Sequence, residues 1–216
     1  ARLVGDEGNA ALLRHRSTSY GNVWSSKERR FCPRMASGRF RCAEDPFLNT
    51  WLVEGNKFWV PRRRGTVFST LVEESLRDQV EGNEAQWRWF VPHDPEGLLA
   101  LFDMKPAFVE KLDEFMTRSQ NQSSTLLPNE GYWAGNEPDL FAPWMFAFAA
   151  APERTQYHTR WLLANRYNHE LPGNDDFGTL SAWAVWASLG RVPAWNLLPR
   201  RASRNKIWRE LPRRAG

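Results

Sequence analysis

The chain has 216 residues, of which 42% are hydrophobic and 25% charged, and its formal net charge is +4. These proportions are near the globular average, so the composition excludes a wholly disordered chain. No apolar run reaches the length of a membrane-spanning helix, about 18 residues. The first residues lack the apolar segment of a signal peptide, so we expect any export signal to have been removed or never present.

Residues 1–65 are rich in Arg, Gly, Pro and Ser and show weak periodicity. They predict loops with short helical pieces at the start of a helical domain. Cys32 and Cys42 lie in this region. They could close a short loop as a disulfide if the protein is exported, or they could be two unrelated thiols. Without a nearby histidine they make a poor zinc site.

Residues 66–195 carry helical patterns. An apolar stripe predicts a helix over 66–80, and a shorter helical segment ends before Pro92. A short helix is predicted from Pro95, and "KPAFVEKLDEFMTRS" predicts a stronger amphipathic one. Two further helices begin at Pro143 and Pro152. Tyr157, Trp161 and Leu162 are predicted to face inward from the second of these.

The stretch "TLSAWAVWASLG" predicts a buried helix that Gly190 ends. No stretch between 66 and 190 alternates as a strand does, so we predict an all-α core of helical hairpins. Residues 196–216 form a basic tail, with seven Lys/Arg and one Glu between Arg200 and Gly216. A solvated terminus explains this charge, although such a tail can also bind nucleic acid or an anionic surface.

Three loops place acidic residues beside Gly-Asn at helix boundaries. They are "EGNEAQ" (81–86), "GNEPD" (135–139) and "GNDD" (173–176). Each loop alone is explained by helix capping and turn formation. Together they supply carboxylate and amide oxygens, which suit Ca²⁺ or a pair of carboxylates that act as acid and base.

In this order, "EGNEAQWRWFVPHD", "GYWAGNEPDLFAPW" and "LPGNDDFGTLSAW" resemble the helical part of glycoside hydrolase family 92. Members are calcium-dependent exo-acting α-mannosidases that invert the anomeric centre. The resemblance covers roughly residues 14–195. It implies helical hairpins forming part of an (α/α)6 toroid, a Ca²⁺ cofactor and mannose-containing glycans as substrates. It also implies a secreted, periplasmic or extracellular location.

The resemblance also assigns roles to residues of the three loops. Glu81 would be the general acid, and Asp176 would be the general base with support from Asp175 or Asn174. The expected metal ligands are Gln86, Asn136, Glu137 and Asp176. The expected substrate-binding residues are Trp89, His93, Asp94, Glu130, Trp133 and Asp139.

Departures from the family pattern leave other functions open. Phe141 stands where the family commonly has His. Members selective for α-1,2 linkages carry a His-Glu pair, and its nearest match here is Asn129-Glu130. The sequence therefore leaves open which mannosidic linkage would be cleaved. The family's β-sandwich domain, which contributes to its active site, is missing, so we expect a fragment, a degenerate copy or one part of a larger assembly. A sugar-binding or scaffold protein without turnover is the alternative. The hypothesis of a nucleic-acid-binding protein depends only on the net positive charge, and no sequence motif supports it.

Overall fold

The computed structural model describes residues 4–47, 82–120, 131–168 and 170–190. Its α-helices are α1 (Glu7–Ser17), α2 (Glu84–Trp87), α3 (Pro95–Ala100), α4 (Lys105–Gln120), α5 (Ala142–Phe148), α6 (Pro152–Asn165) and α7 (Thr179–Ser188), and 3-10 helices cover Ser19–Val23 and Glu137–Asp139. Strands β1 (Trp24–Ser25) and β2 (Arg30–Phe31) form one antiparallel pair. The all-α class is therefore confirmed, and the toroid remains a prediction.

Several sequence predictions concern residues that the structure does not describe. The helix predicted over 66–80, the basic tail over 196–216 and both boundaries of the central region fall outside the described ranges. Within those ranges, no helix is both long and apolar enough to cross a membrane.

The N-terminal region has more regular structure than the sequence predicted. Asp6 caps α1 by accepting a hydrogen bond from the Asn9 N–H at 3.0 Å, which satisfies a donor that the first turn leaves open. After the β1–β2 hairpin, Cys32 and Cys42 form a disulfide with their Cα atoms 4.8 Å apart. The bond closes a short loop that links the hairpin to the segment before α2.

An aromatic cluster between α2 and α4 forms the centre of the core. The Trp89 ring lies 5.3 Å from that of Phe108 and 6.0 Å from that of Phe115, both on the buried face of α4. The ring of Phe102, between α3 and α4, stacks on Trp89 and contacts Phe108 at 4.9 Å. The amphipathic helix predicted from the sequence is therefore confirmed as α4, and its apolar side packs in the core.

The helices that begin at Pro143 and Pro152 are confirmed, since each proline occupies the first turn of its helix. The predicted orientation of α6 is wrong in one respect. Tyr157 is 54% exposed, whereas His158 and Leu162 are buried. Successive residues of a helix differ by about 100° around its axis, so a polar residue one position later takes the inward place.

The sequence of helix α7 is apolar around most of its circumference, and this pattern predicts a fully buried helix. The structure buries only the side that carries Leu180, Trp183 and Ala187. Val185 and Leu189 are 58% and 61% exposed on its other side. The buried side packs on α6 and α5, where the rings of Trp183 and Trp144 lie 6.2 Å apart.

Candidate active site

The first loop enters α2 through a reciprocal pair of hydrogen bonds between Asn83 and Gln86. The Gln86 N–H donates to Asn83 Oδ1 at 2.9 Å, and the Asn83 N–H donates to Gln86 Oε1 at 3.1 Å. Both side chains are buried. This capping box fixes the orientation of the Gln86 amide. Glu81, the predicted general acid, lies two residues before Asn83 and outside the described residues.

Gln86 connects the first loop to the second. Its Nε2 donates to the Gly131 carbonyl oxygen at 3.2 Å, and its side chain also interacts with the Asp139 carboxyl group. Asp139 is fully buried and accepts a hydrogen bond from the Trp133 N–H at 2.8 Å. Burial raises the pKa of Asp139 well above its usual range, although the bonds from Trp133 and Gln86 oppose that shift. Asp139 therefore stabilises the second loop through buried hydrogen bonds.

The second and third loops touch through their glycines. A Cβ atom added to Gly135 would lie 2.4 Å from the Pro172 carbonyl oxygen, which is closer than any real Cβ contact. The backbones around Gly135 and Gly173 can approach so closely because neither residue has a side chain. The structure thus places the described parts of all three loops in one contiguous group.

Tyr167 lies near the second and third loops, and sequence reasoning did not identify it. Its hydroxyl group donates to the Ala134 carbonyl oxygen at 3.3 Å, and its ring stacks on Trp183 with centroids 5.0 Å apart. Burial raises the pKa of Tyr167, and the nearby charges of Asp175 and Glu137 raise it further. The only signal in the sequence is a tyrosine just after α6, which is too common to single out.

The two adjacent aspartates of the third loop have different environments. Asp175 accepts hydrogen bonds from the N–H and the hydroxyl group of Ser181, both at 2.8 Å. These bonds lower the pKa of Asp175 and fix its carboxylate at the start of α7. Asp176 instead has an exposed side chain and a left-handed backbone with φ of 40°. The two neighbouring carboxyl groups can therefore coexist, because Ser181 forms hydrogen bonds to Asp175 whereas the side chain of Asp176 is exposed to solvent.

Backbone strain marks the same turn. Asp176 and Phe177 both have positive φ, at 40° and 59°, and Gly178 follows with φ of 92°. Left-handed conformations of non-glycine residues cost roughly 1–3 kcal/mol each and concentrate at functional sites. The Thr179 hydroxyl group donates to the Asp176 carbonyl oxygen at 2.7 Å and stabilises the turn. Phe177 is fully exposed.

Other residues predicted to bind substrate have different places in the structure. Trp89 is fully buried in the aromatic cluster of the core, and its role as a sugar-contacting residue stays a prediction. His93 contacts the Ser17 carbonyl oxygen at 2.9 Å. Asp94 caps α3 and accepts a hydrogen bond from the Tyr20 hydroxyl group at 2.7 Å. His93 and Asp94 therefore belong to the packing of the N-terminal region.

Of the remaining predicted substrate-binding residues, Trp133 lies just before the second loop and Asp139 ends it. Trp133 is 8% exposed and Asp139 0% exposed. Glu130 lies outside the described residues. Asp139 holds the second loop through its contacts with Trp133 and Gln86, and direct sugar binding by these residues stays a prediction.

The predicted metal ligands are oxygen donors of the type that Ca²⁺ prefers. Asn136 is buried, Glu137 is half-buried beside it, and the Gln86 amide lies close to the same loop. Gln86 Oε1 already accepts a bond from Asn83. Across the described ranges, no group of three or more His, Cys, Asp or Glu residues could hold a metal ion. The donors fit calcium in kind, and water and a sugar would have to complete its coordination.

Comparison with known proteins identifies the family. A profile described as the Glycosyl hydrolase family 92 catalytic domain matches residues 1–194. A curated relative, described as an uncharacterized secreted glycosidase from Arthroderma benhamiae, is 29% identical over 109 residues. That match covers 49% of this chain and 13% of the relative.

Two solved structures of a family GH92 α-mannosidase from Bacteroides thetaiotaomicron have similar folds. The complex with mannoimidazole has a TM-score of 0.68 at 24% identity, and the match covers 90% of this chain and 24% of that chain. The second structure has a TM-score of 0.67 at 23% identity, and the match covers 90% of this chain and 22% of that chain. This chain thus spans about a quarter or less of the proteins it matches.

Proposed function

Since the chain belongs to glycosyl hydrolase family 92, we propose that it forms part of the active site of an α-mannosidase that removes terminal α-linked mannose from glycans. The observation that carries this proposal is the meeting of the three loops. Gln86 interacts with Asp139 across the first and second loops, and Gly135 packs on Gly173 across the second and third. Ordinary helix caps do not require three separate loops to converge.

Hydrolysis with inversion needs two carboxyl groups about 6.5–9.5 Å apart, one acting as acid and the other activating water. We assign the acid to Glu81, which lies three residues before α2 in the sequence. We assign the base to Asp176, whose exposed side chain is accessible to water. The bonds from Ser181 hold Asp175 as a carboxylate beside it. In this assignment Asp175 orients the turn and supports the base.

Calcium is the proposed cofactor. Asn136 and Glu137 would hold it, and Gln86 and Asp176 would complete the protein ligands or bind its water molecules. When bound, the ion would hold sugar hydroxyl groups and favour a distorted ring. Of the protein groups themselves, Gln86 and Asp139 keep the second loop in place, and Tyr167 holds the backbone just before that loop at Ala134.

We also propose that the protein acts outside the cytoplasm. The Cys32–Cys42 disulfide supports this location, because disulfides persist in oxidising compartments. The Arthroderma benhamiae relative, which is described as secreted, supports it as well. The proposed partners are mannose-containing glycans and a β-sandwich domain that would complete the sugar pocket.

The test is hydrolysis of an aryl α-mannoside by the purified chain in calcium, with the first-formed anomer of mannose identified by proton NMR. Release of β-mannose would support the mannosidase assignment with inversion. First-formed α-mannose would overturn inversion and the assignment of Asp176 as base. Mannose binding by calorimetry without turnover, in a folded chain, would favour the sugar-binding alternative.

A further inference from the structure

Residues 43–47 form a segment that runs beside the first turn of α2 and fastens its backbone. The Ala85 N–H donates to the Pro46 carbonyl oxygen at 2.9 Å. The Asn83 side chain donates through Nδ2 to the Phe47 carbonyl oxygen at 3.1 Å. The first turn of α2 has backbone donors that the helix itself cannot satisfy, so this segment supplies one of the missing acceptors.

Glu84 connects the same segment to the β1–β2 hairpin. Its Oε1 accepts a hydrogen bond from the Ala43 N–H at 2.9 Å, and its Oε2 lies 2.9 Å from Arg30 Nε. Arg30 in turn donates to the Ala43 carbonyl oxygen at 2.5 Å. Glu84 and Arg30 are 4% and 5% exposed. The three residues thus form a closed, buried triangle. Glu28 lies 3.5 Å from Arg30, and Arg88 lies near Glu84, so each buried charge has a second, weaker partner. Loss of either charge would still remove the closer, buried half of the pairing.

The Cys32–Cys42 disulfide completes this connection covalently. Cys32 directly follows β2 and Cys42 directly precedes Ala43. The bond therefore holds the start of the 43–47 segment beside Arg30. Backbone hydrogen bonds, including that from the Arg41 N–H to the Pro33 carbonyl oxygen at 2.8 Å, also close the loop between the cysteines, so the disulfide adds a covalent restraint to it. The disulfide joins the segment to the hairpin, and the Arg30–Glu84 ion pair joins the hairpin to α2.

Helix α2 carries Gln86, which contacts the second loop of the candidate site. Gln86 lies in the same helical turn as Glu84, and it bonds to Gly131 and interacts with Asp139. A shift of the first turn of α2 would therefore move Gln86 away from both. A displacement of about 1 Å at such a position can reduce an enzyme's rate by about a hundredfold.

We propose that the Cys32–Cys42 disulfide and the Arg30–Glu84 ion pair act together as a redox-sensitive clamp that positions α2 in the candidate active site. An external dithiol would open the clamp by thiol–disulfide exchange, which converts the bond to two thiols while the dithiol is oxidised to its own disulfide. Glu84, Arg30 and the cysteines are positioning residues, because they act through Gln86. The clamp's effect on α2 is independent of the proposed function. Its effect on turnover rests on that function.

Hydrogen exchange measures the effect on α2 without any substrate. The oxidised chain is compared with the chain after reduction, with the Cys32→Ser/Cys42→Ser double variant and with Glu84→Gln. We expect exchange at the Ala85 and Gln86 amides to quicken by about tenfold or more in all three, while Leu162 in α6 keeps its rate. Asp103→Asn is the matched control. It removes the 2.6 Å ion pair with Arg29 on the same hairpin and should leave α2 unchanged.

Unchanged exchange in α2 after complete reduction, verified by titration of two thiols, would overturn the clamp. An equal increase in α2 and α6 would overturn it too, since the disulfide would then be a general stabiliser.

In a chain that hydrolyses aryl mannosides, reduction should lower turnover by about tenfold or more and reoxidation should restore it. The Cys→Ser double variant should not respond to reductant. If the oxidised wild type is inactive while α2 exchange responds as expected, the proposed function fails and the clamp stands.

Discussion

Gly135 and Gly173 lie in direct backbone contact, and this contact joins the second and third loops of the candidate site. A Cβ atom added to Gly173 would lie 2.7 Å from Gly135 Cα, and one added to Gly135 would meet Gly173 Cα at 3.0 Å. Neither glycine has a positive φ. The requirement is therefore for space and not for an unusual backbone conformation.

We predict that Gly135→Ala or Gly173→Ala separates these loops and lowers the free energy of unfolding by about 1–3 kcal/mol, the usual cost of overpacking. Chemical denaturation measures the change. Gly21→Ala is the control, because an added Cβ there meets no atom within 4 Å. Equal stability of Gly135→Ala and Gly21→Ala would show that the loops can separate without cost.

Tyr167 should contribute through its hydroxyl group as well as through its ring. Tyr167→Phe keeps the stack on Trp183 and removes the bond to the Ala134 carbonyl oxygen. We expect a loss of about 0.5–1.5 kcal/mol in the free energy of unfolding, the net value of one such bond. Tyr157→Phe, at a residue that is 54% exposed, is the control and should be near neutral. A neutral Tyr167→Phe would assign the role of Tyr167 to its ring alone.

The sequence was sufficient to predict α4, α5, α6 and α7, because these helices have clear local patterns. Proline in a first turn located α5 and α6, and the amphipathic pattern located α4. The burial of Trp89 could not be predicted, since a tryptophan next to a motif serves equally well in a core or in a groove. The sequence pattern also failed to predict that His158, and not Tyr157, faces the core, because that choice depends on residues of other helices.

Burial of His158 depends on partners that lie elsewhere in the sequence. Its Nε2 lies 2.8 Å from Asp113 Oδ1 and its Nδ1 lies 3.3 Å from Gln120 Nε2, both on α4. Its ring stacks on Phe146 of α5. A periodicity argument treats histidine as polar and turns it outward. Only the packed helices show that a carboxylate and an amide satisfy both ring nitrogens, which makes an inward histidine favourable.

Stability should therefore fall in mild acid because of His158. Burial lowers the pKa of His158 below 6.5, and nearby Arg154 acts in the same direction, whereas the contact with Asp113 opposes the shift. A base whose pKa is lower in the folded state is neutral in both states above pH 6.5, so its contribution is complete there. As pH falls below 6.5, the unfolded chain takes up the proton first and folding weakens until the folded pKa is passed.

The slope from this one group should not exceed about 1.4 kcal/mol per pH unit. Urea midpoints between pH 7.5 and 5 measure it, and His158→Gln should flatten the curve. His15→Gln, at an exposed residue of α1, should not. The explanation fails if the wild type and His158→Gln show the same pH dependence.

Calcium should stabilise the folded chain. Binding only to the native state at a hundredfold excess over Kd would add about 2.7 kcal/mol, which is visible as a higher Tm. Thermal unfolding in calcium and in chelator measures the difference. Glu137→Gln should remove it, and Glu153→Gln, at an exposed acid in the first turn of α6, should leave it intact. Equal midpoints in calcium and chelator would indicate that the three loops are ordinary caps.

The last prediction separates the two proposed carboxyl roles by leaving group. Glu81→Gln should slow hydrolysis of mannosides with poor leaving groups by about a hundredfold or more, because only these need a proton on the departing oxygen. Activated aryl mannosides should be nearly unaffected. Asp176→Asn should slow both classes, because each requires an activated water.

Asp175→Asn is the neighbouring control for Asp176. An amide at that position can still accept the Ser181 N–H, so the start of α7 should persist while some stability is lost. Circular dichroism confirms folding before kcat and KM are compared for both substrate classes. Full activity of Glu81→Gln on natural disaccharides would reject Glu81 as the acid. A larger loss in Asp175→Asn than in Asp176→Asn, with folding intact, would transfer the role of base to Asp175.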